Sequence, residues 1–145
     1  MPHLTLPLSP EGCVVGLYVG VSAPRAEALA KASIPTPNAV QMRALIDTGA
    51  TGTVIHAPLL KPLGLSPTGT VPVHTPSTAG KAMPCLQYDV LLAIHHPKGS
   101  LVIGTIPVIA ADLTGTGTDA LIGRDLLGGC LFIYDGAASQ FSLAF

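Results

Sequence analysis

The residues best suited to chemistry are Asp47-Thr48-Gly49-Ala50-Thr51. They follow an apolar run, Ala44-Leu45-Ile46, and lead into another, Val54-Ile55. The pattern predicts a buried strand ending in a tight turn that carries one carboxylate. An acid in such a place is costly unless hydrogen bonds hold it. Thr48 and Gly49 are the residue types that supply them, one through a hydroxyl and the other by letting backbone N–H groups come close. A carboxylate held this way is a general acid or base in waiting.

A second signal lies far down the chain, Ala120-Leu121-Ile122-Gly123-Arg124-Asp125-Leu126-Leu127. It reads as a short buried strand running into a helix start. Asp at a helix start is favourable in itself, so Arg124 and Asp125 are expected to form a structural ion pair there. The other chemistry-bearing residues form no comparable pattern. His95 and His96 are adjacent on a strand end and point to opposite faces, which excludes a shared metal. His56 and His74 read as surface or edge residues. Cys13, Cys85 and Cys130 are odd in number and far apart, with no Cys-x-x-Cys spacing. They are expected to be buried, reduced thiols of a cytoplasmic protein, neither a disulfide framework nor a zinc site. No metal and no cofactor is expected.

The elements that must position these residues are strands. Gly and Pro are abundant, 16 and 14 of 145 residues, and they punctuate short apolar runs, which is an all-β texture. Strands are expected at residues 4–8, 13–21, 40–47, 53–56, 86–93, 101–110, 120–122, 131–134 and 140–145, with a further one at 71–75. Residues 25–32 are Ala-rich and predict a helical turn, and Pro35-Thr36-Pro37-Asn38 then forces a loop. Residues 57–63 predict another helical turn, ending at Gly64. The segments 71–75 and 86–93 are expected to be the arms of a hairpin with a small, polar tip. A helix starting at Gly123 is expected to stop at Gly128-Gly129. No repeat or linker stands out, so residues 1–145 read as one domain.

Apolar residues make up 48% of the chain and charged ones only 10%, and the mean hydropathy is +0.56. Residues 101–111 are the longest candidate for a membrane span. Gly104 and Pro107 interrupt them, Asp112 ends them, and they fall short of the roughly 20 residues a bilayer requires. A large subunit interface is the preferred explanation. The net charge of −1 and the absence of a basic cluster exclude a nucleic-acid partner. The N-terminus lacks the basic and apolar regions of a signal peptide.

Taken in order, the Asp-Thr-Gly turn and the later apolar-apolar-Gly-Arg-Asp run resemble the retropepsin-like aspartic proteases. The resemblance covers most of the layout: terminal strand, Asp-Thr-Gly turn, flap hairpin, strand, Gly-Arg-Asp helix, terminal strand. It implies an all-β closed barrel with one short C-terminal helix. It also implies a homodimer partly built from interleaved terminal strands, here residues 4–8 and 141–145. Asp47 is then the catalytic residue. Thr48 bonds across the two-fold axis, Gly49 supports the carboxylates and substrate, and Ala50 stands where pepsin-like enzymes often carry a Ser hydroxyl. Thr75, Pro76, Ser77, Thr78, Ala79 and Gly80 form the flap tip over substrate. Ile122, Gly123, Arg124 and Asp125 support the site structurally. The chain departs from the family in an extra segment at residues 23–38. It also has Thr51 and Gly52 where retroviral members often have acids, which leaves Arg124 to find a partner elsewhere, with the dimer mate as the expected source.

Like other aspartic proteases, such an enzyme works with two carboxylates about 3 Å apart that cannot both ionise and so hold one proton between them. Asp119, Asp125 and Asp135 lack the Thr-Gly companion. The second carboxylate is therefore expected from a second copy of Asp47. The expected activity is endopeptidase cleavage of an extended peptide or unfolded protein. The rival readings are a non-catalytic dimerisation or peptide-binding module of the same fold, and an enzyme silent until matured or relocated. The first rival is expected to have lost Asp47 or Gly49, and both are present.

Overall fold

The computed structural model describes residues 1–74 and 79–145. Ten strands dominate it: β1 His3–Pro7, β2 Val14–Val21, β3 Val40–Ile46, β4 Val54–His56, β5 Gly69–Val73, β6 Met83–Ile94, β7 Leu101–Ala111, β8 Ala120–Ile122, β9 Leu131–Asp135 and β10 Gln140–Ala144. Two helices join them, α1 Ala23–Lys31 and α2 Arg124–Leu127, together with a 3-10 turn at Ala57–Leu63. Six strands close on themselves in the order β2-β3-β8-β4-β7-β6, with β6 returning to β2 through Tyr18↔Ala93 to Val21↔Val90. This is the expected closed barrel.

Alternation closes it. On β2, Val15, Leu17 and Val19 are buried at every second position, and Val90, Leu92 and Ile94 do the same on β6. Each such side chain taken from water contributes about 1.5–3 kcal/mol. The interior they share includes Ile55, Val108 and Ile122 from the strands that carry the site.

Strands β1, β10 and β9 form a separate three-stranded sheet. The terminal strands expected to interleave between subunits pair with each other inside one chain, Leu4↔Leu143 and Leu6↔Phe141, and β9 takes the other side of β10. Phe141 and Leu143 are fully buried in the core, so β10 is part of the protomer's own stability.

Two boundaries differ from expectation for physical reasons. The helical turn of the extra segment is a nine-residue helix, α1. Ser22 caps it by accepting from the Arg25 N–H at 3.4 Å, and a Pro lies in its first turn, where its missing N–H costs nothing. The hairpin begins at Gly69 and pairs with Met83–Gln87 instead of residues 86–93, and the remainder of β6 pairs with β7 and β2. Pro72 and Pro84 face each other across it, which an edge strand tolerates. The 3-10 turn ends, as expected, at Gly64, whose φ of 60° suits a residue without Cβ. Among the described residues, no helix is long and apolar enough to cross a membrane.

Candidate active site

The site is built where β8 lies between β3 and β4. β3 runs parallel to β8, with Ala44↔Ala120 and Ile46↔Ile122, and β4 runs antiparallel to it. The ladder continues one residue past β3: the Asp47 N–H donates to the Ile122 carbonyl at 2.9 Å. The chain must then leave β3 and pass over the end of β8 to reach β4. Residues 47–53 make that passage, and Asp47 is its first residue.

The turn holds its own acid. The Gly49 N–H donates to Asp47 Oδ1 at 2.9 Å, and the Ala50 N–H donates to the Asp47 carbonyl at 3.1 Å. A Cβ at Gly49 would stand 3.2 Å from that same carboxylate oxygen, so glycine leaves the oxygen room. Asp47 is half-buried, while Thr48 and Gly49 are exposed. Cavities of about 560 Å³ beside Tyr88 and the 3-10 turn, and of about 450 Å³ beside His3 and His96, are lined by other residues; Asp47 lines neither.

The second motif locks the turn from behind. The Arg124 N–H donates to the Ala50 carbonyl at 2.9 Å and the Asp125 N–H to the Thr51 carbonyl at 3.2 Å. The Arg124 guanidinium donates from Nη1 to the Thr48 carbonyl at 2.8 Å and from Nη2 to Thr51 Oγ1 at 3.2 Å. Arg124 thus finds two uncharged partners in its own chain. The expected Arg124–Asp125 ion pair does not form among the described residues. Asp125 turns to Thr53 instead, accepting from the Thr53 N–H at 2.9 Å and from its hydroxyl at 2.8 Å. Gly123 packs directly on Gly52: a Cβ there would lie 2.5 Å from the Gly52 carbonyl carbon.

Thr53 is the residue that the pattern of the sequence underrated. It is fully buried, and its hydroxyl also accepts from the Gly123 N–H at 3.2 Å. The signal was available: Thr53 shares the inward parity of Ile55 on β4, and a hydroxyl facing a core must have a partner. Thr53→Val should lower stability by about 2 kcal/mol, because it takes one donor from Asp125 Oδ1 and leaves the buried Gly123 N–H without its acceptor. Urea unfolding reads this directly, and an unchanged midpoint would show that the bonds contribute nothing.

The family model described as "Aspartyl protease" matches residues 34–126, more than half of the chain and the whole of this site. The chain belongs to the aspartyl protease family. Its fold is retropepsin-like: it matches the crystal structure of a retropepsin-like aspartic protease from Rickettsia conorii with a TM-score of 0.59 and 13% identity, over 99% of this chain and 91% of that one. No curated protein sequence matches the chain.

For this member of the aspartyl protease family, the structure brings together Asp47, Thr48, Gly49 and Ala50 with Ile122, Gly123, Arg124 and Asp125, 70 or more residues apart in sequence. Of the expected flap tip, Thr75, Pro76, Ser77 and Thr78 lie outside the described residues. Ala79 and Gly80 are exposed turn residues, and Gly80 has a φ of 77°, a conformation that favours glycine.

The remaining candidates fall away from the site. His56 is half-buried and its Nδ1 accepts from the Leu113 N–H at 3.0 Å, so that nitrogen carries no proton and its 3.8 Å approach to Asp112 is no ion pair. The Asp112 carboxyl lies below its usual range chiefly through hydrogen bonds from Thr114. The thiols expected to be buried are so only at Cys13, whereas Cys85 and Cys130 are half-exposed. Burial pushes the Cys13 and Cys130 thiols up, the opposite of what a nucleophilic cysteine needs.

Proposed function

We propose that the chain is an aspartic endopeptidase that acts as a homodimer, with Asp47 of each copy forming the dyad. The observation that carries this reading is a half-exposed carboxylate on a locked turn, one oxygen held by Gly49, with no second Asp-Thr-Gly in the chain. Two copies related by a two-fold axis through Asp47 complete the site. The ionised carboxylate takes a proton from water as it attacks the peptide carbonyl. The protonated one donates to the carbonyl oxygen; on collapse of the tetrahedral intermediate that proton returns to its carboxylate, and the proton taken from water passes to the leaving nitrogen. Thr48, exposed beside Asp47, bonds across the axis. The β5–β6 hairpin covers an extended peptide held by main-chain hydrogen bonds as an added strand. The whole chain serves as one domain, and its three free thiols suit a reducing compartment such as the cytoplasm.

The assembly has a candidate face. On β9, Leu131 and Ile133 share one face of an edge strand and are 55% and 51% exposed. β9 begins just after α2, the helix that locks the Asp47 turn, so a second copy seated on it lies close to the site. Removing residues 141–145 would be a poor test, since it removes core side chains. Ile133→Asp changes an exposed position and places a charge where a subunit interface would dehydrate it. We expect at least tenfold weaker association, with proteolysis of an unfolded protein falling in parallel, measured by sedimentation and activity over one dilution series. Full activity in a monomer would sink the dimer reading.

A further inference from the structure

The Arg124 guanidinium stands beside the Asp47 turn with no acid paired to it among the described residues. Its two hydrogen bonds go to the Thr48 carbonyl and the Thr51 hydroxyl, both uncharged, and the residue is exposed. The ion pairs among the described residues involve Lys31 and Arg43, not Arg124. Its neighbour Asp125 spends its oxygens on Thr53 and on the Leu126 N–H. A guanidinium carries more N–H donors than two bonds use, and it keeps its charge at any working pH. Within the Asp47 turn and α2 the only acids are Asp47, which belongs to the proposed dyad, and Asp125, which is already engaged.

We propose that Arg124 is a specificity-determining residue that selects an acidic side chain on the peptide near the scissile bond. The carbonyl it grips belongs to the residue next to Asp47, and an extended peptide advances about 3.3 Å per residue. A Glu one to three positions from the bond being cut can therefore reach the free donors. The resulting charge-assisted bond forms in a cleft that bound peptide has partly dried, where it is stronger than an exposed ion pair. The inference rests on the peptide-cleaving reading of the site, and its test separates the two.

The test uses a series of extended peptides identical except for Glu or Gln, placed in turn at each position flanking the cleaved bond, at a pH where glutamate is ionised. At one position the wild-type protein should favour Glu by about fivefold or more in kcat/KM. The preference should shrink toward unity near 1 M salt, as an interaction open to ions does. Thr51→Asp gives Arg124 a carboxylate within its own chain and should erase the preference without removing the guanidinium that locks the turn. Equal cleavage of Glu and Gln peptides at every position, or a preference that survives Thr51→Asp, overturns the inference and leaves the protease reading standing. The same peptides are also titrated against Asp47→Asn by fluorescence anisotropy. If nothing is cleaved but the Glu peptide binds about fivefold tighter in a Thr51-dependent manner, the cleavage reading falls and the role of Arg124 stands. If there is neither cleavage nor preference in binding, both fall.

Discussion

Replacing Asp47 with Asn is expected to leave a folded protein that hydrolyses no peptide. The amide keeps an Oδ1 that can accept from the Gly49 N–H, and the Arg124 and Asp125 locks touch other atoms of the turn, so the geometry survives. What disappears is the group that exchanges a proton with water. Loss of a general acid–base partner costs about 10² to 10⁴ in rate, and both members of the proposed dyad are lost at once, so the upper end applies. Two facing acids are also a source of repulsion. The Asn variant should therefore associate as well as the wild type or better. Sedimentation and cleavage of an unfolded protein, on the same preparation, decide the matter. Cleavage at the wild-type rate would place the chemistry elsewhere.

Gly123→Ala is expected to have the largest effect on stability of any single-methyl change in the site. Gly123 has a φ of −88°, which alanine adopts freely, so conformation does not require glycine. Space does. The added carbon would come within 2.5 Å of the Gly52 carbonyl carbon and 2.6 Å of its oxygen, both backbone atoms that cannot rotate away. Separating the two segments strains Thr53–Asp125 and Arg124–Thr48 together. We expect a loss of about 3 kcal/mol or more, a large share of a total that is typically only 5–15 kcal/mol, and a matching loss of activity. Gly129→Ala is the control: it follows the same helix, a Cβ there meets nothing within 4 Å, and it should shift stability by less than about 0.5 kcal/mol. If the two variants unfold at the same urea concentration, the close approach of Gly52 and Gly123 is not what holds the turn.

Much of the architecture was legible because it is written in short-range terms. Short apolar runs gave the strands that line the barrel, Ala120–Ile122 among them, and Pro and Gly marked most turns. The Asp47 turn and the Gly123 helix start were visible for the same reason, each carrying its signal within a few residues. What escaped is relational. Nothing local says that Arg124 prefers the Thr48 carbonyl to Asp125, because that choice depends on Thr53 claiming Asp125 first. Nothing local says that β10 has both its edges filled within the chain, since its neighbours are a strand at the opposite end of the sequence and the strand just before it. The length of α1 was missed for a smaller reason: the Ser22 cap and the Pro in its first turn outweighed the weak periodicity of an Ala-rich stretch.

The bonds that fix the Asp47 turn come from residues more than 70 positions downstream, Arg124 and Asp125. Contacts of that sequence separation close late, since a long loop must be ordered before they form. The order of synthesis matters as well as the order of folding. A ribosome that has made Asp47 has produced the acid but not its brace. The β5–β6 hairpin, the β7 strand and finally the Gly-Arg-Asp helix must all emerge before the turn acquires a fixed shape. For as long as it is being made, and in any fragment broken off before Asp125, the chain carries the reactive residue without a place to use it. On the proposed reading, the polypeptide is thereby kept from attacking unfolded neighbours until Arg124 and Asp125 have arrived.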